Sequence, residues 1–253
     1  MTSSSDRSRF NVTSLRRACR HCSLRELCLP MGLNSDDIKR LEGIVNTKGP
    51  MDRGAHLFRE GDRFRSIYAV REGAIKTYSF DSDGREHVHG FHLPGELVGL
   101  DAIYPRVNRC NAMALEKTTV CILPFARLAD LAQEVPGLQN QVLRLMSKDL
   151  SLTSDRATDH TAEEKLAGFL LSLSARMGGN DTLVLMMPRR DIARYLRLAT
   201  ETISRLFARF QKNKLIKVKR RTVKLLDTDG LKDVCGAYEM DMGGQVRGDT
   251  GRQ

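Results

Sequence analysis

The 253-residue sequence predicts an α+β protein: an all-β middle, a helix with one apolar stripe, and a compact helical unit ending in a basic hairpin. Two observations carry that reading. Turn signals ("DRG", "REGDR", "REG", "DSDG", "LPGE") cut the stretch 50–125 into short β-branched and aromatic runs. Gly54, Gly61, Gly73, Gly84 and Gly95 are spaced there as in a β-sandwich or barrel. Farther on, thirteen basic residues lie between Arg189 and Lys224, against two acids, Asp191 and Glu201. That segment carries +11 while the whole chain carries +10, so the remainder sums to −1. Charge gathered in this way is the footprint of a surface for a polyanion.

Taken in order, residues 1–18 are polar and basic and read as a disordered tail without the apolar core of a secretory signal. No run of about eighteen apolar residues follows, so a membrane span is not expected. The expectation is a cytoplasmic chain with reduced thiols, in which clustered cysteines signal metal or redox chemistry. The strands are "SIYAV", "AIKTYSF", "HVHGFHL" and "TTVCILPF", and Pro124 to Pro136 brackets a short helix. In "GLQNQVLRLMSKDLSL", Leu138, Val142, Leu145 and Leu152 share one helical face. A stripe that narrow suits a seam against one partner helix, which makes these four the candidate dimerisation residues. "TSDRATDHTAEE" reads as a hinge, a helical unit runs from Thr161 to near Asp229, and the glycine-rich end reads as disordered.

Within "MPRRDIARYLRLATETISRLFARFQKNKLIKVKRRTVKLLD", two helical patterns flank a short turn and precede two β-like runs. Ile203, Leu206, Phe207 and Phe210 recur at i, i+3, i+4 and i+7 and define the buried face of the second helix. Glu201, Arg205, Ala208 and Lys212 then lie opposite Ile203, flanked by Thr202, Ser204 and Arg209. An outer face of this composition suits the major groove of double-stranded DNA: Arg reads guanine, a carboxylate accepts from a cytosine amine, and Ser serves either base. The first helix, about Arg189 to Leu196, would cross the backbone, and "IKVKRRTVKL" would form a wing whose cations meet phosphates.

At "ETISRLFARFQK" the chain resembles the fumarate–nitrate reductase regulator (FNR) family of the cyclic-AMP receptor protein superfamily. "CRHCSLRELCLP", "GFHLPGELVGLDAI", "VCILPF" and "LRLMS" extend the likeness along most of the sequence. The resemblance implies a β-roll sensor (double-stranded β-helix, cyclic-nucleotide-binding-like) with its cysteine loop over 19–134. A dimerisation helix and hinge would follow over 135–160, a winged helix-turn-helix over 161–230, and a tail over 231–253. It implies DNA contacts at Glu201, Ser204 and Arg205, a two-fold TTGAT-type site bound by a homodimer, and activation through RNA polymerase. Two departures stand out. Arg197 occupies the position of the family's turn glycine, and the segment after "LRLMS" is shorter and more polar than the family's dimerisation helix.

"ACRHCSLRELCLP" holds Cys19, Cys22 and Cys28, with Arg16, Arg17, Arg20 and Arg25 around them to favour thiolates. An iron–sulfur cluster or a structural zinc could each take these three and a distant fourth from Cys110, Cys121 or Cys235. The resemblance implies Cys121, through "VCILPF", and one [4Fe–4S] cluster per subunit that senses oxygen, with nitric oxide as a second signal. His21 reads as a loop residue. His87, His89 and His92 share one side of a strand and read as structural.

Two other classes fit the sequence less well. A cyclic-nucleotide-responsive regulator would want an Arg–Ser pair after "GEL", where this chain has Arg109-Cys110-Asn111. A redox enzyme would want a dinucleotide loop or a nucleophile–base pair, and the sequence offers neither.

Overall fold

The computed structural model describes residues 19, 22, 28–154 and 160–236, the side chains of 148–154 excepted. The early arginines, His21 and the side chain of Leu152 therefore lie outside the described residues, as do both ends of the chain.

Two four-stranded antiparallel sheets pack together. One orders β1 (Asn46–Met51), β8 (Thr118–Pro124), β3 (Ser66–Glu72) and β6 (Leu97–Val98). The other orders β2 (His56–Phe58), β7 (Asn111–Ala114), β4 (Ile75–Phe80) and β5 (Glu86–His92). Strand alternation allots the side chains to compartments. Val70 of β3 and Val120 of β8 point between the sheets, where they meet Ile75, Val98, Ala112 and Ala114. Ile67, Ala69 and Leu123, one step along, face outward and are covered by α1 (Ser35–Ile44), α2 (Phe125–Glu134) and α3 (Pro136–Ser154) through Leu41, Leu128, Leu131 and Leu138. The β3–β4 turn needs Gly73: its φ is +81° and a Cβ would lie 2.5 Å from the Lys117 carbonyl oxygen.

The helical unit opens at α4 (Ala162–Arg176) with a capping box between Thr161 and Glu164. After β9 (Thr182–Val184) come α5 (Arg189–Leu196), α6 (Thr200–Lys212), β10 (Ile216–Lys219), β11 (Thr222–Leu225) and α7 (Thr228–Cys235). The last helix corrects the expected tail from 231 on: Leu231 and Cys235 are buried against α4, so helical packing continues past Asp229.

The two units share one apolar core. Phe91 of β5 lies against Phe169 of α4 and Tyr195 of α5, with ring centroids 6.2 and 5.1 Å away. Beside it, Lys76 of β4 sends its ammonium to Glu86 of β5 at 2.7 Å and to Asp191 of α5 at 3.1 Å. Arg194 of α5 completes the cluster on Glu86 at 2.7 Å. A second junction sets the Arg176 guanidinium bidentately on Glu96, at 2.8 and 2.7 Å. Burial alone would raise the Glu96 carboxyl, but Arg176 outweighs it and holds the acid below its ordinary range.

Lys76 is 2% exposed and serves two carboxylates that have been taken out of water. Lys76→Ala is expected to lower the unfolding free energy by about 3–5 kcal/mol, because it strands buried charge. Urea denaturation followed by circular dichroism measures it, and a loss near zero would mean that the cluster is not a support of the junction.

Candidate functional site

The first candidate site is a cavity on the outer side of the β3–β8 pair. Cys19, Cys22, Cys28 and Cys121 all line it, with Leu29, Leu41, Val45, Ala69, Leu123 and Arg71 filling the walls. Local backbone bonds shape the loop: the Cys22 amide donates to the Cys19 carbonyl and the Met31 amide to the Cys28 carbonyl, each at 3.1 Å. Burial pushes the Cys19 thiol up to about 11 and the Cys28 thiol to about 12, and neighbouring thiols add to both shifts. Cys121 is also raised by burial, against the pull of Arg71, whose guanidinium hydrogen-bonds it. For Cys19, Cys28 and Cys121 burial disfavours the thiolate, which a positive group joining them would restore; the four arginines expected to favour thiolates lie outside the described residues. Among the described residues no three His, Cys, Asp or Glu donors stand close enough to grip a single ion.

The three candidates for a distant fourth thiol occupy three separate compartments. Cys121 shares the outer compartment with Cys28. Cys110 is buried between the sheets, its sulfur 3.9 Å from the Asp101 carboxylate. Cys235 belongs to the core of the helical unit. His87, His89 and His92 bond Asp81, Ser79 and Thr77 respectively, so each has its own partner.

Helix α3 touches the cysteine loop directly. The Gln141 amide nitrogen donates to the Cys28 carbonyl at 3.2 Å, and Arg144 reaches the Met31 sulfur at 3.3 Å. Of the stripe predicted as an inter-subunit seam, Leu138 is wholly enclosed in its own chain, while Val142 and Leu145 pack on the same core and stay half-buried. An amphipathic stripe reports that a face is buried, not which chain buries it. The outward face instead carries Leu143, 57% exposed, with Met146 half-buried one turn on. A second apolar spacing, Leu143–Met146–Leu150, was the signal in the sequence.

The second candidate site is the face of α6. Ile203, Leu206, Phe207 and Phe210 are buried, and Glu201, Arg205, Ala208 and Lys212 are exposed, with Thr202 and Ser204 half-buried at the edge. Ser204 donates its hydroxyl to the Thr200 carbonyl at 3.0 Å. Arg189 stacks over Phe207 with 4.6 Å to the ring centroid. Lys217 and Lys224 stand directly opposite each other on the β10–β11 hairpin, a like-charge pair that an external anion would relieve. Several cations of the basic segment are already engaged. Arg209 pairs with Glu163 of α4, Arg194 with Glu86, and Arg221 donates to the Leu185 and Met186 carbonyls at 2.8 and 3.0 Å. The Arg209 pair is a surface one, its arginine side chain 60% exposed, and so holds that side chain only weakly.

Comparison with known proteins agrees with this architecture. Residues 50–135 match the cyclic nucleotide-binding domain family, and residues 164–234 match the Crp-like helix-turn-helix domain family. The chain is 44% identical over 216 residues to the transcriptional activator protein Anr of Pseudomonas protegens, covering 83% of this chain and 88% of that one. It is 40% identical over 225 residues to the fumarate and nitrate reduction regulatory protein of Escherichia coli, covering 86% and 90%. Among solved structures, FixK2 from Bradyrhizobium japonicum superposes with a TM-score of 0.69 at 26% identity, over 76% of this chain and 97% of that one. Among the described residues no helix is long and apolar enough to cross a membrane.

The turn between α5 and α6 bears a measurable cost. Arg197 ends α5 in the left-handed region, at φ 56° and ψ 44°, where a side chain crowds the backbone. Arg197→Gly is expected to raise stability by about 0.5–1 kcal/mol, the left-handed penalty less the chain entropy of glycine. Thermal and urea melts of the pair measure it, and an unchanged or lower midpoint would show that Arg197 makes a compensating contact.

Proposed function

Because this chain belongs to the family of fumarate and nitrate reduction regulatory proteins, which are DNA-binding transcriptional regulators and not enzymes, we propose that it is an oxygen-responsive regulator, mainly an activator, of anaerobic or micro-oxic genes. In this reading a homodimer in the cytoplasm holds one [4Fe–4S] cluster per subunit, binds two-fold TTGAT-type sites and recruits RNA polymerase. The observation that carries it is the convergence of Cys19, Cys22, Cys28 and Cys121 on one largely apolar cavity. A [4Fe–4S] centre fits that donor set: it takes four thiolates, and its positive core supplies the charge that four half-buried sulfur anions need. When bound, such a cluster supplies a reactive, oxygen-labile inorganic core.

The chain's own residues do the rest. Gln141 holds the Cys28 carbonyl, so a rearranged cysteine loop is felt by α3 without an intermediary. On the opposite side of α3, Leu143 offers the apolar contact for a second subunit. Two recognition helices held together gain affinity jointly, so loosening the seam lowers operator occupancy. Arg205, Glu201 and Ser204 would face base edges, while Lys217, Lys219 and Lys224 would meet phosphates. The match to a cyclic nucleotide-binding domain fits the sheet architecture, but a cyclic phosphate is disfavoured as ligand. Cys110 stands in place of the serine, and Asp101 beside it presents negative charge.

Iron and sulfide analysis of protein purified without oxygen tests this reading. About four irons per chain are expected, retained in Cys110→Ser and lost in Cys121→Ser, with operator binding that decays in air. Iron-free protein that binds its operator tightly would sink it. At the seam, Leu143→Glu is expected to shift sedimentation toward monomer with the melting point kept. Leu138→Ala should instead cost about 2–5 kcal/mol of stability, as deletion of a buried leucine does.

A further inference from the structure

A second concave site lies at the far end of the strands that carry Cys121. Arg63, Phe64, Arg65, Arg106, Phe125 and Ala126 line a pocket of about 420 Å3. Its chemistry follows from local structure. Around Phe64 the backbone runs extended into β3, so alternation turns the buried Phe64 inward and sets Arg63 and Arg65 on the outer side. Arg106 is added by the loop before β7. The Phe64 amide donates to the Arg106 carbonyl and the Phe125 amide to the Arg65 carbonyl, each at 3.0 Å, which ties the three segments together. The Arg106 guanidinium is stacked on the Phe125 ring, 5.1 Å from its centroid.

Three features mark this as more than a solvated basic surface. Among the described residues none of these three guanidiniums forms an ion pair with a carboxylate. Two acids of the adjoining segments have partners of their own: Asp62 accepts from the Arg59 amide at 2.8 Å, and Asp101 lies beside the Cys110 sulfur. Arg106 has φ 57°, a left-handed conformation that a side chain adopts at a cost and that here accompanies the stacking of its guanidinium on Phe125. The cluster also sits in the part of the chain whose net charge is −1, so it is not spillover from the basic C-terminal unit.

We propose that this pocket binds a small phosphorylated molecule, with Arg63, Arg65 and Arg106 holding the phosphate oxygens. Guanidiniums pair with phosphate bidentately, and a concavity of this size admits a small organic phosphate where an acidic protein segment would want a longer groove. The position gives the ligand a path to the thiol cavity. Ala69 pairs with Cys121 in the β3–β8 register, and Arg65 and Phe125, just beyond the Ser66–Pro124 pair, are each four residues from them along the two strands. At the usual strand rise that is about 13 Å.

Calorimetric titration of the full chain with tripolyphosphate at fixed ionic strength tests the proposal. One saturable site per chain is expected to survive in Lys217→Ala/Lys219→Ala, which removes anion contacts on the hairpin. It should weaken by roughly 10- to 100-fold in Arg63→Ala/Arg65→Ala, two charge-assisted contacts having been lost. Arg106→Gly suits the backbone φ and so keeps the fold. It should weaken binding as well, so that a failure of the double variant to fold does not decide the matter. Absence of a saturable site, survival of binding in all the arginine variants, or a polyglutamate peptide that binds more tightly than tripolyphosphate would each overturn it.

Discussion

Everything in the N-terminal half depends on the pleat of one strand pair. Side chains of β3 and β8 alternate between two compartments, an inner one closed by the second sheet and an outer one closed by helices. Cys121 falls on the outer step and Cys110, on β7's approach, falls inside. A one-residue slip of β8 would send Cys121 between the sheets and Val120 into the cysteine loop. The strand register that packs the core is therefore also what decides which thiol can face the N-terminal loop.

The junction between the two units combines apolar and ionic packing. Phe91, Phe169 and Tyr195 supply contact area, while Lys76, Glu86, Asp191 and Arg194 supply direction. Apolar surfaces can slide against each other, whereas a buried lysine shared by two carboxylates tolerates few arrangements. One Asp191 oxygen makes no hydrogen bond, so this cluster is not fully satisfied. The contacts leave the outer face of α6 open, with Arg205 and Lys212 exposed.

Much of this was legible in the sequence where a pattern repeats. The face of α6 followed from four apolar residues at helical spacing, α5 from the helical pattern before a short turn, and the sheet-rich middle from turn and glycine signals. What escaped notice lacked such repetition. Helix α1 is short and mostly polar, and its sign was local: Asn34 accepts from the Asp36 and Asp37 amides, with only Ile38 and Leu41 buried. The stripe on α3 was visible, but its partner was not, because burial within a subunit and between subunits writes the same letters. The ionic junction was hidden for a different reason. Lys76 and Asp191 are 115 residues apart, and each reads alone as an ordinary surface charge.

The continuous apolar core bears on modularity. Residues of β4 and β5 bury the flank of α4 and α5, so the C-terminal unit cut out alone would uncover Phe169 and Tyr195 and leave Asp191 without its lysine. A chimera that grafted this unit onto a foreign sensor would have to import Phe91, Lys76, Glu86 and Glu96 as well. By these contacts the two halves form a matched set.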